Sequence, residues 1–304
     1  MEDQVLDQVV EKVVSKPQKR SIFGRKASRR ISNAIIYVVL ILMSIIWLVP
    51  FVCIVIQSFR VEDTNIVPYI WPKQWGFDNY NKLFNETKFW EWFGRTFLIA
   101  LVCSVVQTLF ILSVSYVLSR FRFKGRKALM NIILVLGMFP GFLTMIVLYT
   151  VLKDLGMIGA GSIPGLILVY CASSGMGYYI SKGFFDTIPR SLDEAARVDG
   201  ANRFQVFYKI IMPLAKPIVI YTILTAFMGP WGDFIFAATI AHHDPSGFNV
   251  AVGLNWLIET DTQISQYYTV FCAGGVIIAI PITILFMALQ RYYVEGVVGG
   301  AVKG

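Results

Sequence analysis

The residues best suited to chemistry lie in a polar stretch between two long apolar runs. It reads Ile188-Pro189-Arg190-Ser191-Leu192-Asp193-Glu194-Ala195-Ala196-Arg197-Val198-Asp199-Gly200. Ser191 followed by Glu194 has the spacing of a capping box, a helix start signal. Pro189 keeps the preceding chain out of helix. Asp193 and Glu194 fall in the first turn, where the helix dipole favours negative charge. Gly200 suits a left-handed C-terminal position. The pattern predicts a rigid helix of about two to three turns. A second helix is expected from Asn202 to Ile211, with Phe204, Phe207, Ile210 and Ile211 on one face and Pro213 stopping it. Carboxylates on a short helix beside an apolar face suit ion pairing and docking. The surface they pack on is either the ends of the chain's own helices or a separate protein.

Other reactive residue types are sparse. Asp233 is the one acidic residue inside an apolar run, and Gly229-Pro230-Trp231-Gly232 before it should break or kink a helix. His242-His243-Asp244 could hold a metal weakly, but with Pro245-Ser246-Gly247 following, an exposed turn is expected. Cys53, Cys103, Cys171 and Cys272 each fall in an apolar run without CxxC spacing, so buried thiols are expected and neither disulfides nor zinc. No paired carboxylates and no nucleophile–base constellation suggest catalysis, so the chain reads as a non-enzyme. It holds no G-x-x-x-x-G-K-[ST] stretch, which excludes a P-loop for ATP.

The elements that must position these residues follow from composition. Of 304 residues, 56% are apolar and only 15% charged, with a mean hydropathy of +0.62. One water-soluble core of that composition could not cover itself with polar surface, and disorder is excluded for the same reason. Stretches free of Asp, Glu, Lys and Arg run Ile31–Phe59, Thr96–Ser119, Ala128–Leu152, Leu155–Ser181, Pro217–Gly232 and Thr262–Gln290, the fifth continuing past Asp233 to Ala241. A bilayer needs roughly 20 apolar helical residues per crossing, so an all-α integral membrane protein with six transmembrane helices is expected. The fourth span holds Ala172-Ser173-Ser174-Gly175 and Gly177, small residues that let helices approach closely, and is read as an interior helix.

Charge sets the orientation. With the N-terminus inside, segments 1–30, 120–127, 182–216 and 291–304 carry 21 Lys/Arg, against 6 on the other side. The positive-inside rule then places both termini in the cytoplasm. The net charge of +8 is thus an excess on one face, and the Arg120–Lys127 stretch reads as topology signal and lipid-headgroup contact rather than nucleic-acid site. The organisation expected is a cytoplasmic tail at 1–30, a six-helix domain at 31–290 and a second cytoplasmic tail at 291–304. No cleavable leader is expected, since the first apolar run is too long for one. Val5, Leu6, Val9, Val10, Val13 and Val14 recur at helical spacing in the first tail. The opposite segment, Arg60–Arg95, is rich in aromatics such as Trp71, Trp75, Trp90 and Trp92, which fits a membrane interface or a docking surface for a soluble partner.

The polar stretch also carries a resemblance. Glu194-Ala195-Ala196, three residues, Gly200, nine residues, Ile210, one residue, and Met212-Pro213 resemble the E-A-A-x3-G-x9-I-x-L-P motif of ABC-importer permease subunits, with Met212 for Leu. Trp71-Pro72 through Trp75-Gly76-Phe77-Asp78-Asn79-Tyr80, the Ser119–Arg126 loop and Trp231-Gly232-Asp233-Phe234 are similar to carbohydrate-importer permeases. The tail from Gln290 through Gly299-Gly300-Ala301-Val302-Lys303-Gly304 is similar to the maltose/maltodextrin type.

The resemblance implies a type I importer permease in the bacterial cytoplasmic membrane, carrying oligosaccharides by alternating access. Its partners would be a second, different permease subunit, two copies of a cytoplasmic ATPase and an extracytoplasmic sugar-binding protein. ATP and magnesium would lie on the ATPase, with no cofactor on this chain. Segment 182–216 would couple to the ATPase through Ser191, Asp193, Glu194, Ala195, Ala196, Gly200 and Pro213. Arg291, Gly299, Gly300 and Lys303 would give a second ATPase contact. Trp231 and Asp233 would belong to the translocation path or its gate, or form a polar plug, with few strong sugar contacts from this subunit.

Overall fold

The computed structural model describes residues 25–62, 69–173 and 175–301, with side chains described between 29 and 291 of these. The valine-rich pattern at 5–14 and Lys303 lie outside the described residues. The chain divides into two units, Met1–Cys53 and Ile54–Gly304. Helix α1 (Arg25–Ser58) begins in the first and ends in the second. Every side chain from 29 to 52 is exposed, although the run is almost wholly apolar. A surface of that kind is stable only against lipid or another apolar surface.

The second unit is helical, with no strand among the described residues. Its elements are α2 (Asp78–Glu86), α3 (Phe89–Arg120), α4 (Arg126–Gly137), α5 (Gly141–Asp154), α6 (Ser162–Ala172) and α7 (Gly175–Thr187). They continue as α8 (Ser191–Val198), α9 (Arg203–Leu214), α10 (Lys216–Gly232), α11 (Ile235–Ala241), α12 (Val250–Trp256) and α13 (Asp261–Ala301). Helix α3 is the central post. It packs on α6, α7, α10 and α12, while α13 packs on α10 and α2. Ala100, Ser104, Thr108, Ser115 and Ser119 are buried along α3, and such small residues let helix axes come close. At Gly253 of α12 an added Cβ would lie 2.1 Å from the Trp92 ring, so that crossing admits only glycine.

Four helices, Arg29–Ser58, Phe89–Arg120, Gly159–Thr187 and Asp261–Arg291, are long and apolar enough to cross a bilayer. Two bent pairs pass the same test jointly, α4 with α5 at 97° and α9 with α10 at 82°. The expected straight helix over Ala128–Leu152 is therefore broken. Gly137, Pro140 and Gly141 interrupt it, because proline removes a donor and glycine weakens helix. The fourth apolar run starts later than expected, at Gly159, and is interrupted between α6 and α7. Both halves pack on α3, while Leu168, Met176 and Ile180 on them remain exposed. Helix α13 runs on through the expected tail as far as Ala301, taking in Gly299 and Gly300, and Arg291 is exposed.

Two buried clusters mark the two ends of this unit. One gathers Phe89, Trp92, Ile99, Leu166, Trp231, Val250 and their neighbours. The other gathers Leu112, Tyr116, Phe185, Ile188, Ala196, Val206, Ile211 and Ile218 under α8 and α9. Near the first, Arg60 is only 1% exposed. Its guanidinium donates to Gln57 Oε1 at 2.6 Å and to the Tyr69 and Ile70 carbonyls at 3.0 and 2.8 Å. Asn79 of α2 donates to the Ser58 and Arg60 carbonyls and accepts from Thr269 of α13 at 2.8 Å. The aromatic segment is thereby fastened to α13, with Trp71 and Trp75 left exposed.

Candidate functional site

Helix α8 is held from one side only. Its Asp193 pairs with Arg120, the last residue of α3, at 3.1 Å, and the two side chains are 16% and 5% exposed. Arg120 also donates to the Ile188 carbonyl at 3.0 Å, and Arg190 donates to the Ser119 carbonyl at 3.1 Å. Ser119 donates to Asp186 at 2.6 Å, which ties the end of α7 to the same point. Ala196 is buried against this anchor.

The far side of α8 is open. Ser191, Glu194 and Ala195 are exposed, as are Leu192 and Val198, the latter at 87%. Leu192, Ala195 and Val198 recur every third residue, so they share a face. The Glu194 side chain makes no ion pair or hydrogen bond among the described residues, whereas that of the adjacent Asp193 is taken up by Arg120.

The two ends of the helix are set differently. Ser191 is not its cap. The helix begins one residue earlier than a capping box requires, so Ser191 is already helical and Arg190 stands at the N-cap with no capping bond from its side chain. The capping box forms instead between Asn202 and Gln205 at the start of α9. At the other end Gly200 has a φ of +84°, donates to the Arg197 carbonyl at 3.0 Å, and lets Ala201 donate to the Ala196 carbonyl at 2.9 Å. That is a Schellman turn, in which glycine avoids the Cβ strain of the left-handed conformation.

Helix α9 departs from expectation. Val206–Ile211 is π-helical and Pro213 lies inside the helix rather than after it. The wider turn absorbs the proline's missing donor and its ring, and the chain bends only at Ala215. The extra residue per turn also rotates the apolar face. Val206 and Ile211 are buried, Phe207 and Ile210 half-buried, and Phe204 is 73% exposed, stacked on Tyr208. The inner face of α9 packs on the chain's own helices, and Phe204, Tyr208 and the outer face of α8 remain uncovered.

Asp233 forms a second constellation. Helix α10 ends at Gly232 and Asp233 takes an extended conformation before α11. Its carboxylate accepts from the Tyr170 hydroxyl, and from Phe236 N at 3.2 Å. Its carbonyl accepts from Asn249 Nδ2 at 2.8 Å. Asp233 and Tyr170 line a cavity of about 800 Å³ together with Phe142, Met145, Tyr178 and Phe236. Trp231 does not line it. That indole is 3% exposed among Phe93, Phe97 and Phe227, so it cannot stack on a solute in this conformation.

Tyr170 and Asn249 are not marked by the sequence, and Arg120 is marked there only as a topology charge. Asn249 could have been read as an N-cap, since it accepts from Val252 N. Nothing in spacing pointed to the other two.

The remaining reactive groups are structural. Cys103 and Cys171 form no disulfide, and the Cys171 thiol donates to Cys103 Sγ at 3.9 Å in the core. His242 and His243 both have positive φ in a turn. Hydrogen bonds from Ser246 hold the Asp244 carboxyl there below its ordinary value. Among the described residues no group of His, Cys, Asp and Glu could hold a metal.

Residues 111–298 match the family described as binding-protein-dependent transport system inner membrane component. The galactooligosaccharides transport system permease protein GanQ of Bacillus subtilis is 35% identical over 92% of this chain and 98% of its own. The maltodextrin transport system permease protein MalD of Streptococcus pneumoniae is 34% identical with the same coverage. The fold matches a chain of a bacterial ABC transporter involved in alginate import with a TM-score of 0.71, at 24% identity, over 90% of this chain and 99% of that one. The chain belongs to the binding-protein-dependent transport system inner membrane components, as a multi-pass protein of the bacterial cytoplasmic membrane.

Proposed function

We propose that this chain is one of two different transmembrane subunits of an ATP-driven oligosaccharide importer, with maltodextrins as cargo. The observation that carries the reading is the division of labour on α8. Asp193 anchors the helix to α3, and Glu194 beside it is exposed and unpaired among the described residues. A rigid helix fixed by one face and bare on the other suits the groove of a cytoplasmic ATPase. There Glu194 would meet a basic residue, and Leu192, Ala195 and Val198 would meet an apolar wall. Two ATPase copies closing on ATP and magnesium would move α8 and α9, and through the bend at Ala215 tilt α10. An extracytoplasmic binding protein would deliver the sugar.

Six spans with both termini in the cytoplasm accord with this scheme, each bent pair counting as one crossing, and the charge asymmetry supports that orientation. The exposed end of α13 at Arg291, with Gly299 and Gly300 beyond it, would be a second ATPase contact. Asp233 would border the translocation path through the cavity it lines, and Trp231 would brace that wall from behind. Galactooligosaccharides form a second reading of the cargo, favoured by the similarity to GanQ. An ion-driven carrier would need several charges within the membrane, and it leaves the bare face of α8 without a use.

The test is uptake and assembly in cells carrying the whole transporter. Glu194→Ala should weaken ATPase association or uncouple hydrolysis from uptake. Unchanged assembly and transport would overturn the coupling role. Uptake of labelled maltotriose against a labelled galactooligosaccharide assigns the cargo.

A further inference from the structure

A cavity of about 420 Å³ opens between the end of α3 and the helices α8 and α9. Five guanidinium groups line it, from Arg120, Arg122, Arg190, Arg197 and Arg203, against the two carboxylates of Asp193 and Glu194. Asp193 is taken up by Arg120. Arg122 and Arg197 make no ion pair among the described residues, and Arg203 lies over the Phe121 ring, 4.8 Å from its centroid. Like charges converging on one concave site repel each other and raise the local potential. An anion in the cavity would relieve that repulsion.

The Arg120 side chain is 5% exposed and lines the cavity, with its Nε paired to Asp193 Oδ2 at 3.1 Å and its Nη2 donating to the Ile188 carbonyl at 3.0 Å.

We propose that this cavity binds a phosphate group. The arginines approach from α3, the loop after it, α8 and α9. That spread suits a tetrahedral anion with several acceptor oxygens better than a planar carboxylate, and guanidinium forks are the usual partners of phosphate. The group has two possible sources, an anionic phospholipid headgroup or a free phosphate. Position favours the headgroup. Arg120 ends a 32-residue apolar helix, so the cavity lies at the level of the membrane surface, where basic pockets between helices bind lipid phosphates. A neighbouring concavity lined by Arg122, Arg126 and Lys127 extends the positive surface. The proposal stands whichever solute is carried.

The experiment uses the full chain in nanodiscs of phosphatidylcholine alone or with phosphatidylglycerol, comparing the native chain with the double variant Arg122→Gln/Arg197→Gln. The thermal unfolding midpoint is read with and without inorganic phosphate at constant ionic strength. If a headgroup fills the cavity, phosphatidylglycerol raises the native midpoint and the variant loses that rise. If free phosphate fills it, inorganic phosphate raises the midpoint in phosphatidylcholine discs and the variant loses that rise. Native mass spectrometry of retained phosphatidylglycerol gives a readout independent of stability. In the headgroup case, removing two arginines should weaken its affinity by about thirtyfold. Should native and variant chains respond alike to both probes, the proposal is overturned, and an acidic side chain of a partner protein becomes the better occupant.

Discussion

Arg120 at the end of α3 and Asp193 in the first turn of α8 are joined by a largely buried ion pair at 3.1 Å. The pair fixes the exposed helix to the most enclosed helix of the second unit. Removing one partner leaves the other buried and unpaired, which costs about 3 to 5 kcal/mol. Asp193→Ala should therefore lower the unfolding midpoint of the detergent-solubilised chain. Arg120→Ala should do the same, and the double variant should cost less than the sum of the two. Additive losses in such a double-mutant cycle would show that the pair does not act as a unit.

Val198 is the most exposed apolar side chain on α8. Val198→Asp should leave the stability of the isolated chain within about 0.5 kcal/mol, as surface changes usually do. It should nevertheless weaken ATPase association about tenfold, a loss of about 1.4 kcal/mol, by burying a charge in the interface. Co-purification of the ATPase with the native and variant permease measures this.

Asp233 accepts from Tyr170 and from Phe236 N. Asp233→Leu strands both donors and should cost about 1 to 3 kcal/mol. Asp233→Asn keeps an acceptor oxygen and should cost less. Equal unfolding midpoints for the two variants would deny the hydrogen bonds a role in holding α6 to the α10–α11 junction.

Gly253→Ala should destabilise the packing of α12 on α3, because the new methyl meets the Trp92 ring. Overpacking of that kind costs about 1 to 3 kcal/mol. Trp92→Leu in the same chain should recover part of the loss, which thermal unfolding can measure.

The sequence made some elements plain and hid others, for physical reasons. Helices α1, α3 and α13 are long apolar runs, and hydropathy alone finds them. The bounds of α8 were nearly right because Asp193, Glu194 and Gly200 each prefer one position in a helix. Ser191 misled by one residue, since a capping pattern fixes spacing but not the register that tertiary contacts select. The bend between α4 and α5 was missed although Gly137, Pro140 and Gly141 are visible breakers, because a hydropathy count carries no direction. The π-turn in α9 has no clear sequence mark, and it displaced Phe204 from the expected buried face. The pairs Arg120–Asp193 and Tyr170–Asp233 join residues far apart in the chain. Spacing rules reach only a few residues, so Arg120 was read as a topology charge alone.

The corner at Ala215 has a mechanical consequence. Helices α9 and α10 meet there at 82°, like the two arms of a bell crank. Helix α10 has 17 residues, a rod of about 26 Å at 1.5 Å per residue. Turning that rod by about 10° would swing its far end through about 4 to 5 Å. The far end is Gly232, next to Asp233 in the wall of the 800 Å³ cavity. Because the two arms share that corner, a small rotation of α10 would be felt most at the end of the helix that borders the cavity.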